Sequence, residues 1–216
     1  MDWVIVALKS SSLGDIPKLI YPLLHERTRV INIMNGLIEE DLLSFLREYE
    51  GTDQVELTCC EAIYGGMALI CSSKPRPGFI EHTYAGLLSA GVAASSTPPD
   101  DESHRKAFED LWAPTKVPID YEPSLLRGRW KKNVWNLPFN GISVAMGGIS
   151  VDEIVTDPGL RSLAYTVMDE TIEIANEDLS RNGYDSLWYL GDHEASIVNE
   201  YSRTGMLSQR MFRRKS

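Results

Sequence analysis

The chain has 16 glycines among 216 residues, yet no Gly-x-Gly-x-x-Gly turn occurs anywhere in it. That absence removes the glycine-rich cradle with which dinucleotide-binding sheets usually hold a pyrophosphate. Cysteine is scarce: Cys59, Cys60 and Cys71 are an odd set of three, which excludes a disulfide framework and fits a reducing compartment. Even with His82 they lack zinc-site spacing, so no metal is expected. No apolar run reaches 18 residues, which argues against a membrane-spanning helix. Met1-Asp2-Trp3 offers no basic leader ahead of an apolar stretch, so no signal peptide is read and a cytoplasmic location is expected. Positive charge is short as well. With Lys+Arg 21 against Asp+Glu 31, the net charge is -10, which disfavours binding to a phosphate backbone. The single basic cluster, Arg210, Arg213, Arg214 and Lys215, reads as a frayed tail.

What is present is an alternation of strand and helix patterns. Residues 3–8, Trp-Val-Ile-Val-Ala-Leu, form a continuous apolar run, the pattern of a parallel strand covered on both faces. Asp15 then stands as a helix cap, ahead of Ile16, Leu19, Ile20, Leu23 and Leu24 at helical spacing. Residues 29–34 read as a second strand ended by Asn35-Gly36, and 38–49 as an amphipathic helix stopped by Gly51. This order implies an α/β sheet. Residues 54–60, 66–71, 78–82 and 84–92 read as further strands, and Glu102–Trp112 as a helix burying Phe108, Leu111 and Trp112. Pro114, Pro118 and Pro123 break regular structure and mark a domain boundary, giving domains 1–120 and 121–216. The second is helical: one long helix over 125–146 with Pro138 inside it, and another from Asp157 to about Asn182-Gly183 with Leu160, Leu163, Ala164, Val167, Ile172, Ile174 and Ala175 at near-helical spacing.

On the long helix, Lys132, Asn136 and Asn140 recur every four residues. Each step of four advances about 40° around a helix, so all three project from one side over roughly 12 Å. One ammonium and two neutral amides make an unusual stripe, because solvated helix faces usually mix Glu with Lys. A polar solvated face beside a Trp-rich core remains an open reading of the same spacing. Lys131 lies about 100° off the stripe. At the ends of the first two strands stand Lys9 and Asn35, at the rim where open α/β sheets place ligands; a solvated strand-end lysine and an Asn-Gly turn are the plain alternatives.

The wording Trp135-Asn136-Leu137-Pro138-Phe139-Asn140-Gly141, with Lys132 four residues before Asn136, resembles the ketopantoate reductase (2-dehydropantoate 2-reductase) family. Gly66-Met-Ala-Leu-Ile-Cys71 and Gly78-Phe-Ile-Glu-His82 carry the same resemblance, which runs from residue 3 to about residue 183. It implies a partial Rossmann-like domain lacking its first βαβ unit, followed by an incomplete all-α domain of the 6-phosphogluconate dehydrogenase C-terminal type. The sequence is thus expected to be truncated at its N-terminus and divergent or truncated at its C-terminus.

The resemblance further implies NADPH-dependent reduction of a 2-oxo acid, 2-dehydropantoate, to pantoate. Lys132 would be the general acid, Asn136, Asn140 and Asn35 would bind substrate, and Asn35 with Lys9 would bind the cofactor. A lysine of ordinary pKa is protonated at neutral pH and can both deliver a proton and stabilise the developing oxyanion. Where some members carry a further substrate-contacting Asn, this chain has Ser150, and after Gly183 the family's serine and acidic positions are not found. Asp192-His193-Glu194 reads as a solvated loop. The resemblance leaves open a homodimer. Two other readings also stand: a non-catalytic fragment or interaction remnant without dinucleotide binding, and a reductase of the same fold acting on another 2-oxo acid.

Overall fold

The computed structural model describes residues 2–51, 59–96 and 101–187. The strand expected over 54–60 lies largely outside them, and Asp192-His193-Glu194 and the basic tail lie wholly outside. The chain divides into two compact units, Met1–Gly128 and Arg129–Ser216.

The first unit is built on a five-stranded sheet in the order β1-β2-β3-β4-β5. Strands β1 (Trp3–Val6), β2 (Arg29–Ile33) and β3 (Ala62–Arg76) run parallel. β4 (Phe79–Ser95) returns antiparallel to β3, and β5 (Ile119–Tyr121) pairs parallel with β4. The helices α1 (Ile16–Ile20) and α2 (Glu39–Glu50) cover one face, where Val4, Val6, Val30 and Ile63 bury themselves against Ile16, Ile20, Leu42 and Leu46. The other face holds Ile31, Tyr64, Leu88 and Ala90 against Phe108 of α3 (Asp101–Trp112). Two covered faces make the α/β layering expected from the alternating strand and helix patterns.

Several details depart from the sequence reading, each for a physical reason. The run 3–8 is not a strand covered on both faces. Among the described strands β1 is the outermost and stops at Val6; Val4 and Val6 are buried, and Ile5 is 50% exposed. Asp15 makes no side-chain cap, and a 3₁₀ turn over Ser10–Asp15 leads into α1 instead; Leu19 and Leu23 are exposed. The separate strands expected between 66 and 92 are the two arms of one hairpin, turning at Pro77-Gly78. Pro75 sits in a register shift between Ser73↔Glu81 and Arg76↔Phe79, where a missing N–H breaks no ladder bond. In α3 the buried residues are His104 and Phe108, with Leu111 and Trp112 only partly covered. The proline-rich segment 113–123 is not wholly irregular, since it contains β5.

Every described element beyond Gly128 is helical: the rest of α4 (Leu125–Ala145), then α5 (Val151–Thr156) and α6 (Pro158–Arg181). As the sequence predicts, Asp157 caps α6 by accepting a hydrogen bond from the Leu160 N–H at 2.9 Å, with Pro158 at its start. α6 buries Ala164, Met168, Thr171, Ile172, Ala175 and Leu179, whereas Leu163 and Ile174 of the same apolar pattern are exposed. α5 was absent from the sequence reading, although Ser150-x-x-Glu153 forms a full capping box there.

Candidate active site

Helix α4 starts in a notch cut for it. Gly65 of β3 and Gly91 of β4 are cross-strand partners. A Cβ on Gly65 would meet Leu125 Cδ2 at 2.7 Å, and one on Gly91 would meet the Glu122 carbonyl oxygen at 2.1 Å. Two side-chain-free positions side by side therefore let the start of α4 sit directly on the sheet. Gly65 also leaves room for the Glu39 carboxylate, since a Cβ there would lie 2.5 Å from its Oε1.

Along α4, Trp130, Val134, Pro138 and Ile142 repeat every four residues and are all buried. The Trp130 indole N–H donates to Asp178 Oδ2 of α6 at 2.7 Å, and the Trp135 and Phe139 rings lie 4.2 Å apart. Lys132, Asn136 and Asn140 begin two residues later, about 200° around the helix from the buried stripe. Their exposure is graded: Lys132 and Asn136 are partly buried and Asn140 is exposed. Lys131 is also partly buried. The helix thus sets one amine and one amide into cover and leaves the second amide in solvent.

Cover changes the amine. Burial first, and then the positive charge of Arg129 three residues earlier, lower the Lys132 pKa from 10.5 to about 8. The unshifted lysine expected from the sequence is therefore replaced by a tuned one, still mostly protonated at pH 7. Arg129, 2% exposed, is the residue that sequence reasoning missed. Its signal was the i,i+3 spacing to Lys132, which puts two cations on neighbouring positions of one helix surface.

The other two candidates lie in the first unit. Val6 of β1 pairs in register with Asn32 of β2, so Lys9 and Asn35, each three residues further on, follow the same carboxyl rim. Both are exposed. Lys9 precedes the 3₁₀ turn, and Asn35 stands in a bend with Gly36 at φ +105°, a backbone angle that favours glycine. Ser150, where the family resemblance placed an altered substrate contact, spends its hydroxyl and N–H on capping α5 with Glu153.

No cluster of three or more potential metal ligands occurs among the described residues. No described helix is long and apolar enough to cross a membrane.

Comparison with known proteins places this geometry in a wider setting. The family model for ketopantoate reductase PanE/ApbA matches residues 1–95, and the model for the C-terminal part of the same family matches residues 124–205. The chain is 31% identical over 189 residues to a 2-dehydropantoate 2-reductase of Nostoc sp., an alignment spanning 86% of this chain and 54% of that relative. It is similar to the crystal structure of 2-dehydropantoate 2-reductase from Geobacter metallireducens, with a TM-score of 0.73, 25% identity and coverage of 100% of this chain and 63% of the other. The D-mandelate dehydrogenase complex with NADH shares the fold, with a TM-score of 0.72 at 16% identity, covering 98% of this chain and 63% of the other. The chain thus spans about half the length of the curated relative.

Proposed function

Because the chain belongs to the ketopantoate reductase family, we propose that it carries the proton-donating half of a reaction reducing 2-dehydropantoate to pantoate with NADPH. The observation that carries the reading is Lys132, a half-buried amine in line with two carboxamides and held at a pKa of about 8.

As the carbonyl is reduced, negative charge grows on its oxygen. Lys132 Nζ donates a proton there, and before transfer its charge stabilises that oxygen. A donor at about 8 is better matched to neutral pH than an ordinary lysine, because it is mostly protonated yet gives the proton up more readily. Asn136 and Asn140 each offer N–H donors and a carbonyl acceptor without adding charge, which suits a substrate bearing a hydroxyl and a carboxylate. Ser150, whose hydroxyl caps α5, stands where some family members carry a further substrate-contacting Asn.

The cofactor fits in part. A reduced nicotinamide supplies the hydride when bound. Asn35 and Lys9, both exposed at the carboxyl rim, suit its nicotinamide and ribose end. No glycine-rich turn in this chain offers a pyrophosphate cradle. The cytoplasm, a 2-oxo acid substrate and assembly as a homodimer complete the reading. A reductase of the same fold acting on another 2-oxo acid is the alternative that a substrate panel separates.

The test is direct. The chain is titrated with NADPH by fluorescence and then assayed for NADPH oxidation on addition of 2-dehydropantoate. Saturable binding is expected of the chain, and in a version extended to the full length of its relatives Lys132→Ala is expected to lower kcat by roughly two orders of magnitude or more, the scale of a lost general acid. Absence of NADPH binding supports the remnant reading instead, and near-normal turnover in Lys132→Ala moves the acid elsewhere.

A further inference from the structure

At the end of the sheet opposite the Lys9–Asn35 rim, just before β3, stand two adjacent cysteines that the reaction above does not use. Their sulfurs are 4.0 Å apart, close enough for an S–H···S contact, and the Cys60 sulfur also lies 4.0 Å from the Ala62 carbonyl oxygen. They are unequal. Cys59 is partly exposed, while Cys60 is 1% exposed and sealed into the core beneath α2. Neither is in a disulfide, and nor is the buried Cys71.

We propose that Cys59 and Cys60 form a reversible thiol-exchange site for a low-molecular-weight disulfide, Cys59 attacking and Cys60 resolving. A reactive thiol needs access and thiolate character, and a resolving thiol needs proximity. The hydrogen bond shared with Cys60 lowers the Cys59 pKa against the opposing effects of burial and the Glu50 charge, and Cys59 is the sulfur a small disulfide can reach. The same hydrogen bond, followed by burial and the charge of Cys59, raises that of Cys60, which waits as a thiol.

In the first step the Cys59 thiolate attacks the small disulfide RSSR, forming Cys59–S–S–R and releasing RS⁻, which takes up a proton to leave as RSH. Cys59 is then neutral, so its hydrogen bond and charge no longer hold the proton on Cys60, although burial still favours keeping it. Cys60 loses that proton, attacks the Cys59 sulfur and expels the second RS⁻, again protonated to RSH. The two thiols are oxidised to one disulfide and RSSR is reduced to two RSH.

Closure shortens the sulfur separation to about 2.05 Å. It also bridges α-carbons only about 3.8 Å apart, below the usual disulfide range, so the bond is strained and easily reduced again. A labile disulfide of this kind suits a signal rather than a staple, as transient disulfides do in reducing compartments.

The experiment treats the full chain in a Cys71→Ser background with oxidised glutathione near neutral pH, followed by intact-mass and peptide mapping without reductant. The expected product has lost two hydrogens, maps to a linked Cys59–Cys60 and returns to the starting mass with a dithiol reductant. Cys60→Ser is expected to stop at one glutathione on Cys59, accumulating at least about tenfold more of that adduct than the parent, and Cys59→Ser to leave Cys60 unmodified. If either variant fails to fold, mapping of the parent decides alone. Cys59 remaining a free thiol while free cysteine in the same tube exchanges overturns the proposal, and so does a parent that stops at the mixed disulfide.

Discussion

The sheet rim of the first unit and helix α4 of the second each bear a lysine and asparagine drawn into the same proposed chemistry, in opposite surroundings. Lys9 and Asn35 are exposed, on the loops that follow β1 and β2. Lys132 and Asn136 are partly buried on a helix whose far side is locked down by Trp130, Val134 and Ile142. Water at the rim leaves a lysine free to be a flexible charge. Cover on α4, together with the Arg129 charge, changes the acidity of an amine by more than two pKa units, from 10.5 to about 8. On the proposed chemistry the contrast becomes a division of labour, with exposed side chains at a rim binding and a desolvated one on a rigid element transferring the proton.

If that division is right, the two lysines respond very differently to removal. Against the roughly hundredfold or greater fall in kcat expected of Lys132→Ala, Lys9→Ala is expected to leave kcat within about threefold and to act on KM for NADPH. Steady-state kinetics on both variants checks it, and equal losses in kcat would erase the contrast.

Within α4 the same logic ranks the amides. Asn136, partly buried, is expected to cost about tenfold in kcat/KM when changed to Ala, the scale of one lost hydrogen bond, whereas Asn140→Ala costs less because water replaces it. A larger effect at Asn140 than at Asn136 would mean that exposure does not govern the stripe.

Legibility followed the same divide. The α4 stripe could be read because a helix brings residues four apart together by local geometry alone. The cap of α6 at Asp157-Pro158 was local too, and it holds. What escaped depended on distant neighbours. The continuous apolar run Trp3–Leu8 carries no signal of which strands lie beside it, and so none of the exposure of Ile5. Lys74-Pro-Arg-Pro-Gly78 reads as a break between strands, whereas a register shift absorbs Pro75 and the hairpin runs on to Pro77-Gly78. The acidity of Lys132 was invisible because it comes from burial and from Arg129, not from the residue. Ser150-x-x-Glu153 is a capping signature legible in the sequence, and it caps a helix of only six residues that has little apolar periodicity to announce it.

The smallest effect expected is on stability. Burying a charged amine costs the fold, so Lys132→Met is expected to stabilise the chain by on the order of 1–2 kcal/mol at pH 7 after allowance for solvent screening. A lysine with a folded pKa below its unfolded one has its full cost below about 8, and that cost is relieved as pH rises toward 10.5. The advantage of Lys132→Met in denaturant unfolding should therefore shrink across that window. An advantage that grows with pH would reverse the assigned cause. A gain in stability with loss of turnover is the trade expected where a residue is kept for function.

The central claim is that Lys132 is a desolvated, tuned acid. Its most direct test needs no turnover: titration of the Lys132 ammonium by nitrogen-detected NMR in the intact chain, assigned by its disappearance in Lys132→Met. A midpoint near 8 is predicted, and a midpoint at the ordinary lysine value of 10.5 would contradict the account.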